Sequence, residues 1–115
     1  MQILGKDKVI FAFSRDNKPA YFVEDGEIFM VETDDCYNGQ IRSEDVLRPD
    51  IDISIMDCSV GPIYVNGAEP DDVLCVEILG IDFAPQGVMV TSPGLGVLGG
   101  KISKPSTKII PINNG

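Results

Sequence analysis

The sequence predicts an all-β fold, either a β-sandwich of jelly-roll type or a partly open barrel, with little or no helix. Two observations predict this class. Short runs rich in β-branched and aromatic residues follow one another along most of the 115 residues. Clusters of Gly, Pro, Asn and Asp separate these runs at the positions where turns are needed. We therefore expect a single β-rich domain over residues 1–115.

The first half of the chain contains four predicted strands and one short helical turn. The strands span residues 8–13, 20–23, 27–33 and 50–56, and the helical turn spans residues 43–47. The fourth strand is predicted by strict alternation, which places Ile51, Ile53 and Ile55 on one face and polar residues on the other. Such period-two alternation is typical of a half-buried strand.

The second half contains four further predicted strands, over residues 62–65, 73–83, 87–90 and 107–112. After the last of them the sequence reads Asn114-Gly115, the residue pair that most strongly indicates a hairpin turn. A hairpin turn requires a returning strand. We therefore expect a chain that stops partway through a larger architecture, with a frayed terminal tail as the alternative.

The charge of the chain argues against nucleic acid as a partner. The sequence has 18 carboxylates and 9 Lys or Arg residues, for a net charge of −9. Between Arg48 and Lys101 there is no cationic residue, although eight carboxylates lie in that span. Binding phosphates requires clustered Lys and Arg side chains. The acidic balance indicates either a solvated acidic surface or a cation site.

Cysteine and hydrophobic patterns indicate a cytoplasmic protein. Cys36, Cys58 and Cys75 are odd in number and form no CxxC pair, as expected of free thiols in a reducing compartment. No apolar run is long enough for a membrane helix, and the first residues lack the pattern of a signal peptide. Histidine is absent, so carboxylates, a thiolate or an oxygen-bound metal must perform any catalysis by this chain alone.

The sequence "PGLGVLGG" places Gly94, Gly96 and Gly99 in the spacing GxGxxG. A dinucleotide-binding fingerprint requires a helix that opens at the third glycine. The following residues contain Pro105 and show no helical periodicity, so no helix N-terminus is available for a pyrophosphate. We predict instead a glycine-rich loop in which two backbones approach closely.

The stretch "VETDDCYNGQI", residues 31–41, is the strongest candidate for a site. Glu32, Asp34 and Asp35 follow directly after an apolar strand, and a turn is expected at Asn38-Gly39. Paired carboxylates can hold a hard cation or divide acid and base roles between them. The alternative is a solvated turn whose aspartates accept hydrogen bonds from backbone N–H groups.

The stretch "NGAEPDD", residues 66–72, predicts a tight surface turn. Asn66 and Gly67 are expected to supply positive φ angles, and Pro70 fixes the following turn. Glu69 and Asp72 are crowded into the same loop. From these residues alone, a structural turn is the favoured interpretation.

Taken in order, "VETDDCYNGQI", "GPIYVNGAEPDDVLCVEILGI", "GVMVTSPGLGVLGG" and "TKIIPI" resemble the N-terminal portion of the acetamidase/formamidase family. The resemblance implies a jelly-roll β-sandwich and hydrolysis of short aliphatic amides to a carboxylate and ammonia. It covers residues 9–112. The positions that match the family's ET-x-D, Gln, GP and GAEPGD pattern are Glu32, Thr33, Asp35, Gln40, Gly61, Pro62, Gly67, Glu69, Pro70 and Asp72.

The chain also departs from the family pattern. Asp57-Cys58 replaces Asn-Pro, Val60 replaces Thr, and Asp71 replaces the glycine of GAEPGD. At that position the turn must avoid positive φ or tolerate strain. Family members are much longer, and their His-Gly-Gly-Asn-Met-Asp and Gly-Asp-Gly-Glu segments would lie beyond Gly115. The resemblance therefore implies that this chain is an incomplete N-terminal portion.

The resemblance implies catalytic roles for Asp35 and Glu32, with Asp35 also the candidate ligand of a divalent metal, zinc or calcium, in the complete enzyme. Gln40, Glu69 and Asp72 are expected either to bind substrate or to form structural turns. This chain alone implies no cofactor clearly.

Two alternatives to an amidase remain open. One is a non-catalytic β-sandwich that binds a cation or small ligand. The other is an assembly subunit that uses open sheet edges to form a homo-oligomer or to recruit a complementary C-terminal chain.

Overall fold

The computed structural model describes residues 1–114, which divide into two compact units. The first unit contains Met1–Asn38 and Ser54–Val76, and the second contains Gly39–Ile53 and the chain from Glu77 onward. The described residues form eight strands and three single turns of 3-10 helix, without an α-helix. The predicted all-β class with little or no helix is confirmed. The single domain over residues 1–115 stays a prediction, and Gly115 lies outside the described residues.

The first unit contains six short strands, which pair two by two. They are β1 (Gln2–Leu4), β2 (Val9–Ile10), β3 (Tyr21–Val23), β4 (Phe29–Val31), β5 (Ser59–Val60) and β6 (Ile63–Val65). β1 pairs with β4 and β3 with β6, both in parallel, whereas β2 and β5 are antiparallel. Leu4, Tyr21 and Val23 are buried, while Phe22 between the last two is exposed. This alternation gives β3 one core face and one outer face.

The second unit is built on one antiparallel pair, β7 (Gln86–Thr91) and β8 (Ser106–Pro111). The two strands predicted over residues 87–90 and 107–112 are confirmed. Residues 43–47, which also belong to this unit, are hydrogen-bonded to β8. The Thr107 hydroxyl donates to the carbonyl of Val46 at 2.6 Å, and Ile109 N–H donates to the Glu44 carboxylate. Ile41 is fully buried in this unit. Val46 N–H donates to the Ser43 carbonyl, which gives the single turn expected over residues 43–47.

The strand predicted over residues 50–56 is wrong. Two 3-10 turns, Arg48–Asp50 and Ile53–Ile55, occupy this region. The Asp50 carboxylate accepts a hydrogen bond from Leu47 N–H, and Asp50 N–H donates to the Leu47 carbonyl, which closes the first turn. Local hydrogen bonds thus satisfy this backbone in place of a neighbouring strand, although the sequence alternates.

The strand predicted over residues 73–83 is also absent from the structure. The chain from Val73 to Ala84 belongs to no strand or helix. Among residues 1–114, no backbone hydrogen bond involves residues 73–84. A segment without a hydrogen-bonded neighbour is not part of a sheet, whatever its composition.

The strands predicted over residues 8–13 and 27–33 are present but shorter, since pairing extends over Val9–Ile10 and Phe29–Val31. No helix within residues 1–114 is both long and apolar enough to span a membrane.

Candidate active site

Parallel pairing of β1 with β4 builds the strongest candidate site in the first unit. In a parallel pair the carboxyl ends of both strands lie at the same edge. Glu32 N–H continues the ladder by donating to the Leu4 carbonyl at 2.9 Å. The residues just after the two strands therefore meet, and the Lys6 ammonium contacts the Asp34 carboxylate at 3.0 and 3.1 Å. This ion pair closes one side of a cavity.

The cavity has a volume of about 260 Å³ and lies wholly within the first unit. Its apolar lining residues are Val9, Val31 and Val60, and Lys6, Thr33 and Asp34 line it just after β1 and β4. The remaining lining residues are Asn38, Cys58 and Ser59. An apolar pocket with a few convergent polar groups is the usual form of a small-molecule site.

Of the two predicted catalytic carboxylates, neither lines the cavity, although both flank residues that do. Asp35 lies in the turn after β4, where its carboxylate accepts a hydrogen bond from Tyr37 N–H at 3.0 Å. Its carbonyl accepts another from Asn38 N–H at 2.9 Å. The turn predicted at Asn38-Gly39 is confirmed, since both residues have positive φ. Glu32 is exposed and precedes Thr33 on the cavity wall.

Glu32 belongs to a polar group around Tyr21. The Tyr21 hydroxyl donates to the Gly5 carbonyl at 2.6 Å and to the Asp7 carboxylate at 3.4 Å. Burial raises the pKa of Tyr21, and the negative charges of Asp7 and Glu32 raise it further. Lys8 lies over the opposite part of the same side chain, with its ammonium 4.8 Å from the ring centroid. Burial and the two carboxylates thus keep the phenol protonated to a higher pH than in a free tyrosine, through its raised pKa.

Gln40 lies in the second unit and is engaged at both ends of its side-chain amide. Its Nε2 donates to the Asp52 carbonyl at 3.0 Å, and its Oε1 accepts from Asp52 N–H at 2.9 Å. The side chain thus replaces a neighbouring strand for residue 52. This geometry favours the structural role that the sequence left open for Gln40 over direct substrate binding.

Two consecutive turns follow β6, and Glu69 and Asp72 are the first and last residues of the second one. The first joins Val65 to Ala68 through a 3.2 Å hydrogen bond, and Gly67 has a φ of 81°. The second joins Glu69 to Asp72, and the Asp72 carboxylate also accepts from Glu69 N–H at 2.8 Å. Positive φ at the third position alone is the pattern of a type II turn.

This pattern settles two expectations about the loop. Asn66 does not have positive φ, so the expected pair of such residues is wrong; its side chain instead donates to Glu24 at 2.6 Å. Asp71 has a φ of 75°, so the turn tolerates the strain that the family's glycine would avoid. The loop forms a turn in which Asp72 satisfies a backbone donor, and substrate contact by Glu69 or Asp72 stays a prediction.

The described residues do not form a metal site by themselves. No group of three or more His, Cys, Asp or Glu residues within 1–114 is arranged to hold a metal ion. Zinc and calcium require four or more ligands, and Asp35 supplies at most one carboxylate. A metal bound through Asp35 would need most of its ligands from outside this part of the chain.

Sequence reasoning missed Lys6 and named Asp34 without its partner. The three-residue strand β1 was not predicted, and without it no pattern places Lys6 beside Asp34. The one signal available was an isolated lysine after a short apolar run, which is too common to indicate a site. Cys58 and Ser59 were missed as lining residues for the same reason, since β5 is two residues long.

The fold and the polar residues at its strand ends can be compared with those of known proteins. A profile of the acetamidase/formamidase family matches residues 7–114. The chain belongs to this family. Among family proteins, it is 38% identical over 73 residues to the acetamidase of Mycolicibacterium smegmatis. It is 39% identical over 61 residues to the formamidase of Methylophilus methylotrophus. The alignments cover 62% and 51% of this chain, but 18% and 15% of the two family proteins.

Two solved structures of the family extend the likeness to nearly the whole chain. The acetamidase of Bacillus halodurans superposes with a TM-score of 0.91 at 38% identity. A predicted acetamidase/formamidase from Thermoanaerobacter tengcongensis superposes with a TM-score of 0.90 at 43% identity. The superpositions cover 97% and 99% of this chain and 38% of each solved chain. The chain thus spans well under half the length of its family relatives.

Proposed function

We propose that the chain forms part of an amidohydrolase that converts a short aliphatic amide and water into a carboxylate and ammonia. The observation that supports this proposal best is the family match over residues 7–114, together with solved acetamidase structures of the same backbone arrangement. The substrate class follows the names of the relatives, an acetamidase and a formamidase.

The cavity in the first unit has the size and polarity for such a substrate. A water molecule occupies about 30 Å³ in the liquid, so a volume of about 260 Å³ accommodates a few heavy atoms and the attacking water. The Lys6 ammonium is a donor for the amide carbonyl oxygen, where negative charge develops during attack. The lining valines provide an apolar surface for the alkyl group of the amide.

Within this proposal, Asp35 and Glu32 are the acid–base residues. Amide hydrolysis requires removal of a proton from water and delivery of a proton to the leaving ammonia. The chain has no histidine, and these two carboxylates are next in sequence to the lining residues Thr33 and Asp34. Asp35 is held in place by its hydrogen bond from Tyr37 N–H, which fixes the orientation of the carboxylate.

The proposal includes a divalent metal only as a group whose ligands come largely from elsewhere in the complete enzyme. Such a metal polarises a carbonyl and acidifies water. A cytoplasmic location also belongs to the proposal, supported by the free thiols of Cys36, Cys58 and Cys75.

The test is ammonia release from formamide and from acetamide by the full chain, with and without added Zn²⁺ or Ca²⁺. The matched pair of variants is Asp35→Ala and Asp45→Ala, since Asp45 is an exposed carboxylate of the second unit that does not line the cavity. We expect Asp35→Ala to abolish release and Asp45→Ala to leave it unchanged.

Equal activity in both variants would refute the role of Asp35. Absence of release by the wild-type chain, alone and in the presence of the remaining part of a family enzyme, would refute the proposed activity. Binding of acetamide without release of ammonia would instead favour the non-catalytic module.

A further inference from the structure

The most conspicuous feature outside the candidate site is an apolar segment, residues 73–84, that lies exposed along its length. It reads "VLCVEILGIDFA" and contains two carboxylates and no cationic residue. Ile78 is 72% exposed and Leu79 is 64% exposed. The other large apolar residues exposed in this segment are Val73, Leu74, Val76, Ile81 and Phe83. Contiguous exposure of this kind marks an interaction surface.

Backbone hydrogen bonding shows the same lack of partners. In residues 1–114, no backbone hydrogen bond joins residues 73–84 to any other residue. The chain on either side is nevertheless fixed. Asp72 closes the turn that begins at Glu69, and the Pro85 carbonyl accepts a hydrogen bond from Ile112 N–H at 2.9 Å. The residues on either side of the segment are therefore hydrogen-bonded, whereas the segment's own backbone has no such partner among residues 1–114.

The side-chain pattern matches a strand that is covered on both faces. In an extended chain alternate residues face opposite sides. Leu79, Ile81 and Phe83 share one side, and Val76 and Ile78 share the other, so neither side is polar. Strands that are apolar on both faces are typical of the interior of a layered sheet. Contact on one face alone would leave the other apolar face exposed. Strands paired along the segment's edges and layers packed on both faces would bury it completely.

We propose that residues 73–84 form an interior β-strand whose neighbours are strands from the part of the acetamidase/formamidase architecture that residues 7–114 do not include. The solved family structures share the backbone arrangement over 97% and 99% of this chain, yet this chain accounts for 38% of each of them. In those proteins the same stretch of chain folds together with a much larger body of polypeptide.

Charge disfavours two other partners for this segment, a membrane surface and a second copy of the chain. An anionic membrane surface attracts Lys and Arg, and the chain has none from residue 49 to residue 100. A second copy of this chain that paired in parallel and in register would place Glu77 and Asp82 opposite the same carboxylates, where like charges repel. Strands of a different sequence avoid this repulsion.

The experiment combines the full chain with the part of the Thermoanaerobacter tengcongensis chain that it does not match, by co-expression with an affinity tag on the second polypeptide. We expect co-purification as a one-to-one complex, measured by light scattering. We also expect amide exchange of residues 73–84 to slow by about tenfold or more relative to the chain alone.

Two variants make the test specific to the segment. Ile78→Asp places a carboxylate in the proposed interior and should abolish co-purification. Val97→Asp makes the same change at a fully exposed residue outside the segment and should have no effect. Because Ile78 has few contacts in the chain itself, exchange within β7 and β8 should be unchanged in both variants.

Several results would overturn the inference: no co-purification, equal loss in both variants, slow exchange of residues 73–84 in the monomeric chain, or a homodimer that protects them. The inference goes beyond the proposed function and is measured without turnover. A stable complex that releases no ammonia would refute the amidase proposal and leave the inference standing.

Discussion

Replacing Gly99 by alanine tests the close approach of two backbones in the glycine-rich loop. A Cβ atom at Gly99 would lie 2.6 Å from the carbonyl carbon of Gly94 and 2.9 Å from its Cα. Ordinary contacts of a Cβ atom begin at about 3.4 Å. The atoms it would meet belong to the backbone, so no side-chain rotation can relieve the overlap. The two residues are also joined by a hydrogen bond from Gly94 N–H to the Gly99 carbonyl at 3.1 Å.

The expected cost of Gly99→Ala follows from this overlap. Forcing one extra carbon into a packed site typically costs about 1–3 kcal/mol, and here the turn must open to accept it. For a domain of this size, each kcal/mol lowers the melting temperature by roughly 4 °C or more. We therefore expect Gly99→Ala to lower the melting temperature by roughly 4–12 °C.

The assay is thermal and urea-induced unfolding of the full chain, followed by circular dichroism. The control is Gly100→Ala, because a Cβ atom at Gly100 would meet nothing within 4 Å. Gly100→Ala should leave stability within about 0.5 kcal/mol of the wild type. If the two variants unfold at the same temperature, the close backbone approach does not contribute to stability and the reasoning fails.

Three further predictions concern the turns and Tyr21. Asp71→Gly should raise stability by about 0.5–1 kcal/mol in urea unfolding, because it removes the cost of a side chain at a φ of 75°; a loss of stability would contradict this assignment of strain. Asp72→Ala should lower it by about 1 kcal/mol, because Glu69 N–H loses its carboxylate partner, whereas Asp72→Asn should retain much of it. Since the pKa of Tyr21 is raised above 10.0 in the folded chain, its contribution is complete below that pH and is lost as the pH rises further. Tyr21→Phe should show a smaller alkaline loss of stability, and an unchanged pH profile would assign that loss to other groups.

The sequence predicted best the turns held by local hydrogen bonds and the two long strands, whose residue pattern fits no other secondary structure. The strands around residues 87–90 and 107–112 were found because two apolar runs flank a glycine-rich loop. The close backbone approach predicted for the glycine-rich loop is confirmed, since Gly99 lies against the backbone of Gly94 and begins a three-residue 3-10 turn. The double turn after β6 was expected from Gly67 and Pro70, although the left-handed position fell on Asp71.

Elements whose structure depends on a distant partner were predicted least well. Strict alternation over residues 50–56 indicated a strand, yet the side chain of Gln40 pairs with the backbone of Asp52, and Asp50 N–H donates to the Leu47 carbonyl. For the candidate site, the sequence identified the acidic stretch after β4 but not Lys6. The ion pair depends on a parallel pairing between three-residue strands, and such short strands leave no periodic signal.

The parallel pairing of the first unit also determines when this unit can form. Tyr21 pairs with Ile63 and Gln2 with Phe29, so each ladder closes a loop of tens of residues but forms only three residue pairs. The entropy of loop closure must be overcome before these contacts stabilise anything, which makes folding slow. During synthesis β2 and β3 remain without partners until Ser59–Val65 has left the ribosome. Until then, the apolar residues of both strands lack the cover of the fold, and such transiently exposed apolar surface makes a chain prone to aggregate.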